Sequence, residues 1–305
     1  MSLSEVRITP GARAMIVSAL AFAVMSALVK LAGQRLPSVE IAIARGVVTL
    51  VASYVLLRRA GIPAFGHANR WLLVRGLIGL GGLQCYFYAV TVLPLAEATV
   101  IHFTNPIFVA MAAPLLLGER VGPREIGGVA LGLVGVVLVA QPAFLFGGAG
   151  VALSPLGLAV GLLGAIFGAA ASIVVRKLRT EHPLVVVFHF PLLVVPLTLP
   201  FVVPVWVTPT PREWLLLLAV GLVTQLGQMK MTEGLRHETA ARASAISYVQ
   251  IVFSFTLGFT LFGEIPTPLT WLGAALVTIG TLVVVTAPSR AAASTPPEVD
   301  AGAAE

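Results

Sequence analysis

Aspartate is almost missing from this chain, whose 305 residues contain a single one, Asp300, near the C-terminus. Its absence elsewhere excludes an aspartyl protease dyad, a phospho-aspartate pump and an aspartate ligand for Mg²⁺. The sequence also has no Walker A loop, no HExxH motif and no GxSxG motif. We therefore predict that the protein hydrolyses no nucleotide, is not an enzyme, and uses neither a metal nor an organic cofactor.

Charged side chains are also scarce: they make up 10% of the chain, whereas a soluble globular domain has about 25%. Apolar residues make up 58%, and the mean hydropathy is +0.98. A chain with so little charge cannot cover a water-facing surface, so lipid must be its solvent. The one cysteine, Cys85, cannot form an internal disulfide. This composition predicts an all-α integral membrane protein.

Ten apolar segments, each near the length of about 20 residues that crosses a bilayer, follow one another along the chain. Proline and glycine mark most of the short joints between them. The first segment is too long for a signal peptide and lacks a clear cleavage site, so we interpret it as a retained helix. The predicted transmembrane helices are residues 12–32, 39–57, 71–91, 97–117, 123–141, 155–176, 183–205, 214–234, 240–262 and 268–286.

Lysine and arginine predict the orientation of these helices. With the N-terminus in the cytoplasm, the predicted inner loops and ends hold 13 of these cations and the outer ones only two, Arg35 and Arg212. The net charge of +6 therefore reflects membrane topology and not nucleic-acid binding. Both termini are expected in the cytoplasm of a bacterial cell, with the spans in its inner membrane.

The two halves of the chain repeat each other at a spacing of 145 residues. Gly76 corresponds in this way to Gly221, and Gly118-Glu119 to Gly263-Glu264. Each copy holds five predicted spans, an odd number, so the second copy must enter the membrane from the opposite side. This predicts two inverted five-helix repeats, residues 11–143 and 144–287, between cytoplasmic tails at residues 1–10 and 288–305, the latter disordered.

Polar residues inside the fourth and ninth spans also follow the repeat. Thr99, His102 and Asn105 lie on one helical face, and 145 residues later stand Ser244, Ser247 and Gln250. Buried polar groups are unfavourable in hydrocarbon unless they are paired or face a cavity. Two alternatives follow: the matched stripes line a central cavity, or they hydrogen-bond one helix to another. Phe103 and Tyr248 also correspond, whereas Pro106 has no counterpart in the second copy.

The eighth span is the most polar. Lys230 and Glu233 stand three residues apart and could pair, while Lys230 could instead extend to the cytoplasmic surface. Outside this span, Lys30, Arg45 and Glu97 lie near helix ends. The predicted solute-binding residues are His102, Asn105, Gln228, Lys230, Ser247, Tyr248 and Gln250, and the predicted gate or ion-pair residues are Lys30, Arg45, Glu97 and Glu233.

The fourth and fifth spans carry the motifs of a known family. An Ala-x-Ala start (Ala96, Ala98), a mid-helix proline, Gly118-Glu119 and a glycine-rich fifth span resemble the EamA domain of the drug/metabolite transporter superfamily. The resemblance implies ten helices, a central cavity lined by helices one, three, four, six, eight and nine, and transport of small organic metabolites, often as export.

These observations predict a secondary transporter that exports a small polar metabolite resembling an amino acid by alternating access. The alternatives are an uptake carrier for a vitamin or nucleoside-like solute, such as riboflavin or S-adenosylmethionine, and a passive channel. Two kinds of coupling are compatible with the sequence: to protons, through His102 or His189, or to a counter-solute. The predicted partners are the solute and the lipid bilayer. The protein is either a monomer, since ten helices could enclose the cavity alone, or a homodimer.

Overall fold

The computed structural model describes residues 8–93, 95–147, 154–263, 265 and 267–286, and in these ranges all regular structure is helical. A short 3-10 helix, Val203–Val205, extends one of the helices. The α-helices are α1 (Pro10–Ala32), α2 (Ser38–Arg59), α3 (Asn69–Val92), α4 (Leu95–His102), α5 (Asn105–Leu117), α6 (Pro123–Ala140), α7 (Ala143–Phe146), α8 (Pro155–Lys177), α9 (Pro183–Val202), α10 (Pro211–His237), α11 (Ala240–Ser247), α12 (Val249–Phe262) and α13 (Pro268–Val285).

Nine stretches of the described chain are long and apolar enough to cross a membrane. Two of them are interrupted helices: α4 and α5 supply the stretch Ala98–Leu117, and α11 and α12 supply Ala240–Phe262. The prediction of an all-α, multi-pass membrane protein is therefore confirmed. Helix α3 is not among the nine, although its 24 residues extend about 36 Å, so the prediction of ten spans stays a prediction.

The helix boundaries repeat at the spacing that the sequence shows. Adding 145 to the bounds of α1 gives those of α8, and the same holds for α4 with α11 and for α6 with α13. The local chemistry of the starts is shared as well. Thr9 and Ser154 each cap a helix that opens with proline, and their hydroxyls accept the backbone N–H groups of Ala12 and Gly157.

The helices pack in pairs that keep this correspondence. Helix α1 packs along α10, and α3, the counterpart of α10, packs along α8, the counterpart of α1. Helices α2 and α9 pack on each other, as do α6 and α13. The α6–α13 contact needs glycine: a Cβ on Gly128 would overlap the Val284 side chain and lie 3.0 Å from the Gly280 carbonyl oxygen.

The described chain starts and finishes at the same end of the bundle, which we call the terminal end. Thr9, before α1, donates to Glu238, and Glu238 pairs with Arg242, which donates to the carbonyl oxygen of Val285 at the end of α13. At the opposite, distal end, Gln141 after α6 donates to Thr270 at the start of α13 (3.2 Å). Helix α1 therefore runs from the terminal to the distal end.

Candidate functional site

The first interrupted helix breaks between His102 and Asn105. At the break the backbone N–H of Thr104 donates to the Ile101 carbonyl oxygen (3.1 Å), three residues back instead of four. Pro106, which has no N–H, stands in the first turn of α5. The break leaves backbone carbonyl groups without helical partners, and such groups must find other ones inside a membrane protein.

The second interrupted helix breaks at Tyr248, the counterpart of Phe103, and does so without a proline. Its backbone N–H donates to the Ala245 carbonyl oxygen (3.4 Å), again three residues back. The Tyr248 hydroxyl donates to the carbonyl oxygen of Phe103 (2.9 Å), and the two rings stack with centroids 6.0 Å apart. The two breaks therefore meet, and the second supplies the missing partner of the first.

Tyr248 is closed off from any solute in this conformation. Its exposed fraction is 0%, and its ring lies on Gly132 of α6, where a Cβ would overlap it. Tyr248 was predicted to bind solute. That role stays a prediction; in this conformation the Tyr248 side chain is packed, and it holds α11–α12 against α4–α5 and α6.

His102 and Asn105 lie on either side of the first break. The His102 side chain is exposed, and its ring lies 4.8 Å from that of Tyr86 on α3 and 5.6 Å from that of Phe103. Asn105 is half-buried, and its Nδ2 donates to the Ala165 carbonyl oxygen of α8 (3.3 Å). The two predicted residues therefore share one region between α3, α5 and α8, where Tyr86 was not predicted.

Ser247 and Gln250 occupy the corresponding positions around the second break. Both are half-buried, and the Ser247 hydroxyl donates to the Ser244 carbonyl oxygen (2.6 Å). They stand on either side of Tyr248, which contacts Phe103 between His102 and Asn105. Two polar residues of each predicted stripe therefore flank, in sequence, the Phe103–Tyr248 contact that joins the two breaks.

Helix α10 carries the remaining predicted solute-binding residues. Lys230 Nζ pairs with Glu233 Oε2 at 2.7 Å, as the spacing predicts, and the two side chains are 36% and 38% exposed. Gln228 is half-buried, and its backbone carbonyl accepts the Thr232 hydroxyl (2.9 Å). The pair satisfies the charge of Lys230 on its own helix while leaving both side chains accessible.

The predicted gate or ion-pair residues are spread over four helices, since Glu233 on α10 is joined by Lys30 on α1, Arg45 on α2 and Glu97 on α4. Lys30 Nζ lies 4.4 Å above the ring of Phe262 at the end of α12. Arg45 is half-buried, and its Nη1 lies 3.8 Å from the sulfur of Met25. The side chain of Glu97 lies outside the described residues, so its role as a gate or ion-pair residue stays a prediction.

Comparison with known proteins decides the family. The model of the EamA-like transporter family matches residues 9–141 and again residues 155–286. The chain belongs to the EamA-like transporter family. The two matches to one family model fall on the two copies that the sequence repeat defines.

Relatives of this EamA-family chain have described transport activities. A pseudopaline exporter of Pseudomonas aeruginosa (strain UCBPP-PA14) is 36% identical over 87% of this chain and 92% of its own length. A riboflavin transporter of Vibrio cholerae is 27% identical over 88% of this chain and 90% of its own. A solved crystal structure superposes with a TM-score of 0.79 at 20% identity, over 90% of this chain and 95% of its own, and supports the fold alone. The EamA-family chain is thus a membrane transporter and not an enzyme.

The terminal end of this EamA-family protein contains a buried ion pair that no sequence pattern predicts. Arg176 Nε pairs with Glu119 Oε1 at 2.6 Å, and the side chains are 2% and 8% exposed. The other carboxylate oxygen of Glu119 accepts the Ala240 N–H at the start of α11 (2.8 Å). Arg176 also donates to the carbonyl oxygens of Leu235 and Arg236. One pair therefore joins α5, α8, α10 and α11.

A second buried pair lies at the same end. Arg242 Nε and Glu238 Oε2 are 2.9 Å apart, and each side chain is 1% exposed. Thr9 donates to Glu238, and Arg242 donates to the Val285 carbonyl oxygen (2.9 Å). The positive-inside count includes Arg176 and Arg242 among the cations of the predicted inner loops and helix ends. The structure adds that both guanidinium groups are buried and bridge helix ends.

The distal end has a different kind of ion pair. Arg35 Nε donates to Glu213 Oε1 (2.7 Å), and the Arg35 side chain is 45% exposed. The hydrogen bond to Glu213 raises the pKa of the Arg35 guanidinium above its ordinary value, so its charge persists. A solvated pair of this kind stabilises a structure little. Among the described residues, the buried inter-helix ion pairs lie at the terminal end.

Proposed function

We propose that this protein is a secondary transporter of the bacterial inner membrane that exports a small polar organic metabolite by alternating access. The observation that carries the proposal is the meeting of two symmetry-related helix breaks, flanked by polar residues, in a chain 36% identical to a pseudopaline exporter. Discontinuous helices at a repeat interface are typical of transporter binding sites.

The proposed architecture has ten spans in two inverted five-helix repeats, residues 11–143 and 144–287. Helix α3 would be the tenth span. The packing supports inversion, because α1 starts at the terminal end, whereas α8 finishes there with Arg176 beside Arg236. Two units that face opposite ways can open to one side of the membrane at a time. We place both termini in the cytoplasm, in agreement with the distribution of lysine and arginine.

In the proposed site, the solute lies beside the two breaks. His102, Asn105, Ser247 and Gln250 would supply hydrogen bonds, and Gln228 would do so from α10. Lys230 would hold an anionic group of the solute, and Glu233 would release Lys230 for that purpose or exchange a proton. Tyr248 holds the two interrupted helices together through its contact with Phe103.

The conformation of the bundle supports the assignment of a gate. The terminal end is sealed by Arg176–Glu119 and Arg242–Glu238, both buried. The distal end carries the solvated Arg35–Glu213 pair instead. With the termini in the cytoplasm, the protein would be closed toward the cytoplasm, and the buried pairs would separate when it opens to that side.

Counterflow in proteoliposomes tests the function. We expect vesicles loaded with unlabelled pseudopaline to accumulate labelled pseudopaline transiently, with saturation. Asn105→Ala and Gln250→Ala should each lower the rate about tenfold, because each loses hydrogen bonds to a solute that stays desolvated in the cavity. Thr256→Ala on the same helix as Gln250 is the control, since its exposed hydroxyl donates only to the Val252 carbonyl oxygen.

The other outcomes have distinct meanings. Full counterflow in both variants would reject the site, and flux without saturation or counterflow would indicate the passive channel. Counterflow of riboflavin but not of pseudopaline would favour the uptake alternative, which the 27% identical riboflavin transporter supports. A pH gradient that drives accumulation would establish proton coupling, and the mass of the protein in detergent would separate monomer from homodimer.

A further inference from the structure

Arg75 on α3 is a buried cation without a counter-charge in the described part of the chain. The side chain is 7% exposed, and its Nε and Nη1 atoms make no hydrogen bond. It pairs with no carboxylate among the described residues. It stands six residues after the first residue of α3, Asn69, which is about 9 Å into the helix.

The surroundings of Arg75 fit a guanidinium plane but do not neutralise it. Its guanidinium carbon lies 4.8 Å from the centroid of the Phe190 ring on α9. A Cβ on Gly79, one turn further along α3, would overlap Arg75 Nη1, so the bare glycine makes room for the plane. A cation–π contact supplies only part of what burial of a guanidinium costs, and a guanidinium stays charged in proteins.

The repeat shows that this location has a counterpart. The α3–α9 interface corresponds to the α10–α2 interface, because Gly76 faces Leu193 in one and Gly221 faces Val48 in the other, each pair related by the 145-residue spacing. At the same spacing, the position of Phe190 corresponds to Arg45 on α2. Each interface therefore carries one arginine. The two arginines stand on helices that do not correspond to each other, Arg75 on α3 and Arg45 on α2.

The two arginines differ in accessibility. Arg45 is half-buried, and its polar contact is with the sulfur of Met25, whereas Arg75 is almost fully buried. Arg75 lies in the half of the bundle toward the terminal end, which the two buried ion pairs seal. Opening of that end would leave Arg75 half-buried, as Arg45 is now.

We propose that Arg75 is an anion-binding residue for the transported solute, which receives a carboxylate group when the terminal end opens. This inference rests on the proposed alternating-access function. An arginine suits the task because its fork of N–H groups binds a carboxylate through two parallel hydrogen bonds. Phe190 and Gly79 hold the fork in place while the site is empty.

The test measures thermal unfolding of the purified full-length protein with and without pseudopaline as the probe. Without the probe, Arg75→Met should raise the unfolding midpoint by about 2 °C or more, because the variant removes a buried unpaired charge. With the probe, Arg75→Met should weaken the apparent affinity about 30-fold or more. Arg75→Lys, which keeps the charge but loses the fork, should weaken it about tenfold or less. Arg70→Met, an exposed arginine at the start of the same helix, is the control.

Each result supports or overturns the proposal. A midpoint that falls in Arg75→Met would overturn it, since Arg75 would then be structural. An unchanged affinity in Arg75→Met would also overturn it. If the wild-type protein neither binds pseudopaline nor shows counterflow, the proposed solute fails. The midpoint without the probe then decides Arg75 separately, and a stabilised Arg75→Met variant still supports a charge kept for a ligand.

Discussion

Replacement of Arg176 by glutamine should destabilise the protein strongly. The guanidinium is 2% exposed, pairs with Glu119 at 2.6 Å and donates to two backbone carbonyl oxygens on α10. Removal of one partner of a buried pair costs about 3–5 kcal/mol, because the remaining charge stays buried. Glu119 keeps one hydrogen bond, from the Ala240 N–H, so we expect a loss of about 3 kcal/mol, at the lower end of that range.

The assay is equilibrium unfolding in mixed detergent micelles, with the free energy compared between Arg176→Gln and Arg35→Gln. Arg35 is a close match, since it also pairs with a glutamate and donates to a backbone carbonyl oxygen, that of Thr208. It differs in being exposed, so its replacement should change the free energy of unfolding very little. Equal losses in the two variants would refute the reasoning that burial gives the terminal pair its strength.

Two further predictions concern packing. Gly128→Ala should destabilise the α6–α13 contact. Its neighbour Gly127 has nothing within 4 Å of an added Cβ, so Gly127→Ala should be neutral or should stabilise the protein by up to about 1 kcal/mol. Unfolding midpoints that fall equally in the two variants would contradict this. Tyr248→Phe should lose about 1 kcal/mol, because the Phe103 carbonyl loses its donor. Tyr54→Phe is the control and should leave stability unchanged, because Tyr54 is exposed. If the Tyr248→Phe variant were as stable as the Tyr54→Phe variant, the Tyr248 hydroxyl would not join the two breaks.

The helices could be predicted closely from the sequence, because the signals that set them are local. Hydropathy gives the spans, and a proline after a capping threonine or serine gives the starts of α1 and α8. The break near Asn105 is signalled by Pro106. The break at Tyr248 has no such local signal, since it depends on the contact between Tyr248 and a helix remote in sequence.

Among charged residues, an ion pair between neighbours in sequence can be predicted, whereas a pair between residues remote in sequence cannot. Lys230 and Glu233 stand one helical turn apart, so their pair follows from spacing alone. Arg176 and Glu119 are 57 residues apart, and only the packing of α5 against α8 brings them together. A count of loop cations cannot tell such an arginine from a solvated one, because both stand at a helix end.

The repeat is closer in backbone than in charge, and this difference bears on the proposed transport cycle. Helix boundaries recur after 145 residues, but the position that corresponds to Arg176 is Leu31, and the one that corresponds to Arg242 is Glu97. The terminal seal is therefore not copied at the distal end by the same residues. Two end states closed by different contacts have different free energies, and a solute can shift their populations only by binding one more tightly. In the proposed cycle the buried pairs stabilise the state closed at the terminal end, so the solute must bind more tightly to the state open at that end to offset their separation.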